Sequence, residues 1–173
     1  MSEGLPPLRE FLLREVLRFV RTASTIPGVT GIALVGSLAT MKPNPKDADV
    51  LVSITDDVDL ARLATAGRTL KGRAQTRNSG ADIFLADSEG YIGRICHWRE
   101  CWPRRACRAQ HCGRKEHLND DLHVVNLSID MVRAPPIELW PNLASRVAAP
   151  ADVQELLLTP LTGLKESGAS EQA

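Results

Sequence analysis

Three carboxylates carry the chemistry that this chain can do. Asp47 and Asp49 stand two residues apart in Lys46-Asp47-Ala48-Asp49-Val50, and Asp82 lies between Ala81 and Ile83. In an extended strand, residues i and i+2 share a face about 6–7 Å apart. Asp47 and Asp49 therefore point one way, and Ala48 and Val50 point into the opposite layer. Two carboxylates this close repel, so either one keeps its proton or a cation lies between them. If the strand carrying Asp82 pairs with theirs, three hard oxygen ligands converge. Such a set suits Mg²⁺, which keeps several waters and takes further ligands from substrate phosphates. A pair of such ions can hold the attacking and leaving oxygens of an in-line displacement. Nine residues separate Gly36-Ser37 from Asp47. Glycine permits close backbone approach, and Ser37 with main-chain N–H groups can hold a phosphate oxygen. The set points to metal-dependent phosphoryl or nucleotidyl transfer.

The elements that must position these groups are readable from periodicity. Leu8, Phe11, Leu12, Val16, Phe19 and Val20 recur at helical spacing after Pro6-Pro7, which predicts an amphipathic helix ending near Ser24. Arg9, Glu10, Arg14 and Glu15 occupy its polar face. The apolar run 29–35 predicts a buried strand delivering Gly36-Ser37, and Leu38-Ala39-Thr40 a helical turn. Residues 48–54 predict a second strand. Asp56 and Asp57 are expected to cap a helix over 58–74, and residues 81–86 to form a third strand.

Gly36-Ser37 followed by Asp47-Ala48-Asp49-Val50 resembles the "GS…DxD" signature of the DNA polymerase β-like nucleotidyltransferase superfamily, and Asp82 falls at its third carboxylate. Chain size and element order are similar to the minimal nucleotidyltransferase (MNT) branch over residues 8–90. The resemblance implies an α/β (α+β) nucleotidyltransferase fold, a small mixed sheet flanked by helices. It implies that Asp47 and Asp49 bind two Mg²⁺ ions, and that Asp82 holds one metal and helps deprotonate the attacking hydroxyl. Gly36 and Ser37 would grip the triphosphate of an NTP, with ATP the leading candidate. MNT relatives resemble antitoxins that transfer AMP to a HEPN-type partner toxin. Leu38-Ala39-Thr40 stands where many members carry Arg or Gly. Lys46, beside Asp47, is either a phosphate contact or an ordinary surface lysine.

Composition changes after Gly90. Cys96, Cys101, Cys107 and Cys112 follow C-x4-C-x5-C-x4-C spacing among His97, His111, His117, Trp98 and Trp102. Seven cations (Arg94, Arg99, Arg104, Arg105, Arg108, Arg114, Lys115) face two acids (Glu100, Glu116). Residues 91–118 therefore read as a Cys-rich insertion. Four thiolates can hold a tetrahedral Zn²⁺, with the histidines as competing ligands, or pack as unlinked thiols. The cations and tryptophans suit RNA, an NTP or an acidic partner, or simply a solvated surface. Residues 122–131 predict a further strand. His123 reads as structural, and Trp140 as an anchor in an irregular stretch between Pro136 and Pro141.

One domain is expected over 1–150, with core 8–90, insertion 91–118 and closing elements 119–150. A short helix over 151–158 and a frayed tail over 159–173 follow. The chain has 173 residues and zero formal net charge, so whole-protein electrostatics announce neither nucleic acid nor membrane. The absence of a long apolar run or leader pattern leads to the expectation of a cytoplasmic protein without a membrane partner. Three function classes follow: a nucleotidyltransferase with a macromolecular acceptor (protein or RNA) favoured over a small molecule, a non-catalytic nucleotide- or partner-binding module, and an RNA-binding protein acting through a zinc-stabilised insertion.

Overall fold

The computed structural model describes residues 4, 6–95, 118–119, 136–143, 149–162 and 164. They form a mixed α/β unit around a six-stranded sheet of order β5-β4-β3-β2-β1-β6. Its strands are β1 (Val29–Val35), β2 (Asp47–Ile54), β3 (Gly80–Asp87), β4 (Gly90–Ile95), β5 (Leu118–Asn119) and β6 (Ile137–Trp140). β2 and β3 run parallel, joined by the crossover helix α2 (Leu60–Gln75), and the other neighbouring pairs are antiparallel.

Alternation along β2 separates two layers. Ala48, Val50, Val52 and Ile54 are buried on one face, joined by Ala81, Ile83 and Leu85 of β3. The helix α1 (Leu8–Ala23) brings Leu12, Leu13, Val16, Phe19, Val20 and Ala23 into the same core, and α2 brings Leu63, Ala64 and Leu70. Each large aliphatic side chain so buried contributes about 1.5–3 kcal/mol of transfer free energy. The face opposite carries Asp47, Asp49, Leu51 and Ser53.

Several expectations hold to within two residues. α1 ends with Ser24 as its C-cap, β1 covers the residues expected, and a 3₁₀ turn (Gly36–Ala39) follows it. α2 starts later than expected, because its cap is Asp59, whose side chain accepts the Arg62 N–H, and not Asp56 or Asp57. Those two lie in the preceding turn, where Asp57 accepts a hydrogen bond from the Thr55 hydroxyl.

Three expectations need correction. The supposed insertion does not begin at residue 91, since β4 is an ordinary strand of the sheet. The Asp87 carboxylate accepts the Glu89 N–H at 2.8 Å, turning the chain so that β4 returns along β3 and satisfies its edge. Ile95 is buried against Gly67 and Ile83. Trp140 belongs to β6, paired with Ile32, and not to an irregular stretch. The tail is not frayed from residue 159. The helix α3 (Ala151–Val153) runs on through a π-helical stretch (Gln154–Leu158), and residues 159–162 remain helical with Leu161 in the core. Cys96, Cys101, Cys107, Cys112, His97, His111, His117, Trp98, Trp102, His123 and the strand expected over 122–131 lie outside the described residues.

Candidate functional site

The three carboxylates meet at one end of the sheet, where β1 finishes and β2 and β3 begin. Asp49 is the register partner of Val35 on one side and Asp82 on the other. Asp47 is opposite Gly80. Cross-strand partners share a face, so all three side chains belong to the face away from the helices.

Two glycines make room for them. Gly36 has φ +70°, a left-handed conformation that glycine adopts without steric cost. A methyl group on Gly36 would stand 2.6 Å from Asp49 Oδ2, so the turn after β1 closes directly on this carboxylate. A methyl group on Gly80 would stand 2.5 Å from Asp47 Oδ1. Gly36 was recognised from the sequence for its backbone freedom. The reason for Gly80 becomes visible only once its register with Asp47 is known.

Asp49 is the unusual member. It is only 8% exposed, and its Oδ1 has no hydrogen-bond partner. Burial, with the added repulsion of Asp82 and then Asp47, raises its pKa from 3.8 to about 7, against a main-chain hydrogen bond from Asp82 and the charge of Arg94. A buried carboxylate oxygen without a donor is costly, and a cation is the natural remedy. Asp47 is exposed and Asp82 partly so, which leaves the cluster open to solvent and ligand.

Two residues that sequence reasoning did not single out complete the site. Arg94 of β4 forms an ion pair with Asp82 at 3.3 Å. Arg9, assigned to the polar face of α1, holds the loop after β1. Its guanidinium donates to the Ser37 carbonyl at 3.3 Å, the Leu38 carbonyl at 3.0 Å and the Lys42 carbonyl at 3.2 Å, and pairs with Asp152 before α3's end. An arginine among polar helix residues carries no signal of such a role. The half-buried Ser37 hydroxyl makes no hydrogen bond among the described residues, and Lys46 is exposed beside Asp47.

Among the described residues, no three His, Cys, Asp or Glu side chains are placed to hold a metal ion together, Asp47, Asp49 and Asp82 included. Mg²⁺ does not need three such ligands, since one or two carboxylates with waters and phosphate oxygens complete its shell. Asp47 and Asp49 with the orphaned Oδ1 fit that requirement, and Asp82 is engaged by Arg94.

The same face continues into a shallow groove of about 780 Å³, lined by Gly31, Ala33, Leu51, Ser53, Glu138 and Trp140. Leu51, which lines it, is two residues beyond Asp49 along β2, and none of the three carboxylates lines the groove. A second groove, of about 450 Å³, lies between α1 and α2 on the far side of the sheet.

The chain belongs to the family of unknown function DUF6932. The match covers residues 4–115, so it includes the Gly36 turn, all three carboxylates, Arg9, Arg94 and the four cysteines. No curated protein and no solved structure matches the chain. Among the described residues, no helix is long and apolar enough to cross a membrane.

Proposed function

We propose that this DUF6932 chain has a nucleotidyltransferase fold and is a Mg²⁺-dependent nucleotidyltransferase, moving a nucleoside monophosphate from an NTP, ATP foremost, to an acceptor hydroxyl. The observation that carries the reading is Asp49. It is buried with an unpartnered oxygen between Asp47 and Asp82, against a glycine turn that leads into Ser37.

Asp47 and Asp49 would hold the divalent ions, with Asp82 joining them. A bound ion supplies charge neutralisation at the phosphates. The turn at Gly36 and the Ser37 hydroxyl offer donors for the triphosphate, and Arg9 keeps that turn in place. The acceptor oxygen bonds to the α-phosphorus as the bond from that phosphorus to its bridging oxygen breaks. Pyrophosphate leaves with the bonding electrons, and Asp82 helps take the hydroxyl proton. The neighbouring groove lies where an acceptor can approach. A macromolecular acceptor, such as a HEPN-type partner toxin in the manner of MNT antitoxins, is the first class to test. The Cys96, Cys101, Cys107 and Cys112 set is proposed separately as a structural Zn²⁺ site from its thiolate chemistry alone, to be checked by elemental analysis of the dialysed protein.

The test is label transfer. Wild-type protein with α-labelled ATP, Mg²⁺ and proteins that co-purify with it is expected to label an acceptor and release pyrophosphate. Asp47→Asn is expected to abolish both. Label transfer that persists in Asp47→Asn would refute the mechanism.

A further inference from the structure

A cation already belongs to the carboxylate cluster. Arg94 pairs in register with Phe84, two residues along β3 from Asp82, so its side chain reaches back diagonally along the sheet face to Asp82 Oδ1 at 3.3 Å. Both side chains are about one-third exposed (33% and 30%), which leaves room to exchange partners. Among the described residues, Arg94 is the only cation in an ion pair with any of the three carboxylates.

A divalent ion bound by Asp82 would approach its oxygens to about 2.1 Å. Arg94 cannot keep the same oxygen as its partner without facing a doubly charged ion at close range. Metal without substrate must therefore displace the arginine against like-charge repulsion. Metal arriving with an anionic phosphate offers the guanidinium a replacement partner, and guanidinium matches phosphate geometry in bidentate fashion.

Resting on the reading of this cluster as a divalent-metal and nucleotide site, we propose that Arg94 is a substrate-gated counter-ion. It holds Asp82 in the resting protein, weakens binding of metal alone, and transfers to a phosphate when metal and nucleotide bind together. Arg94 is thus a positioning residue that makes the third carboxylate available only in the presence of substrate. Metal and nucleotide affinities become coupled through it, and by linkage each raises the other equally.

The test is Mn²⁺ binding followed by the free-ion electron paramagnetic resonance signal, with and without a non-hydrolysable ATP analogue. Wild type, Arg94→Met and Arg94→Lys are compared, with circular dichroism reporting the fold. In wild type the analogue is expected to tighten Mn²⁺ binding. Arg94→Met is expected to bind Mn²⁺ alone roughly tenfold more tightly, because a competing charge is gone, and to lose most of the tightening by the analogue. Arg94→Lys, which keeps the charge, is expected to resemble wild type with metal alone, and it carries the comparison should the methionine variant fail to fold. Mn²⁺ binding that is equal or weaker in Arg94→Met than in wild type overturns the counter-ion role while leaving the metal site standing. The absence of Mn²⁺ binding by every variant, with or without analogue, overturns both.

Discussion

Two carboxylates are buried among the described residues, and their surroundings differ in kind. Glu15 on α1 is 5% exposed and is met by Arg73 at 3.3 Å and Arg18 at 3.6 Å. Asp49 is 8% exposed and has an oxygen with no donor and two further carboxylates as its neighbours. Glu15 is a finished ion pair on the helix side of the sheet. Asp49 is an unfinished one on the opposite face. Glu15 is compensated by arginines, whereas Asp49 is in no ion pair among the described residues, a difference that the proposed function explains by a ligand at Asp49.

The comparison breaks most sharply by substitution. Asp49→Asn is expected to weaken Mg²⁺-dependent nucleotide binding by about a hundredfold or more, since it removes a charged ligand. Glu15→Gln is expected to leave that binding unchanged and to lower stability by about 1 kcal/mol, because its arginine partners are largely exposed and return to water. If titration gave both variants equal nucleotide affinity, the distinction drawn between the two carboxylates would fail.

Stability against pH sharpens the same contrast. The folded state raises the pKa of Asp49 from 3.8 to about 7, so the unfolded chain gives up this proton first. The contribution of Asp49 is therefore favourable below about pH 4 and is lost as pH rises toward 7, at about 1.4 kcal/mol per unit. Thermal melts of the metal-free protein are expected to fall across that window. In Asp49→Asn the part of this decline due to Asp49 is expected to vanish, and Mg²⁺ at pH 8 is expected to recover stability in wild type alone. A decline of the same size in Asp49→Asn would assign it to other groups.

Glycine substitutions give smaller effects. Gly36→Ala puts a side chain at φ +70° and a methyl group against Asp49, and is expected to cost about 1–3 kcal/mol along with nucleotide affinity. Gly80→Ala presses on Asp47, which is exposed and can swing aside. Its stability is expected to stay within about 1 kcal/mol of wild type, with a modest loss of metal affinity. Denaturant melts and the same titration check both.

Much of this was legible in the sequence because alternation along one strand encodes two layers at once. Asp47-Ala48-Asp49-Val50 announces that carboxylates and core residues point opposite ways, and β2 follows that pattern. The pairing of Asp49 with Asp82 was conditional on strand order, which α2 enforces as a crossover between parallel strands. Arg9 and Arg94 escaped notice for different reasons. Arg9 acts through carbonyls of a loop distant in sequence, and the composition of its helix face is ordinary. Arg94 reads by composition with the cations that follow it, although Asp87-Ser88-Glu89-Gly90 is a turn that returns the chain to the sheet. The cap of α2 is not decided by residue type, because Asp56, Asp57 and Asp59 are chemically equivalent candidates. Leu161 was overlooked because the small polar residues after it dominate the composition.

The most direct measurement is calorimetric titration of the metal-free protein with a non-hydrolysable ATP analogue, with and without Mg²⁺, for wild type, Asp49→Asn and Glu15→Gln. Binding is expected to require Mg²⁺, to survive Glu15→Gln and to disappear in Asp49→Asn. Binding that ignores Mg²⁺ or persists in Asp49→Asn would contradict the proposed function.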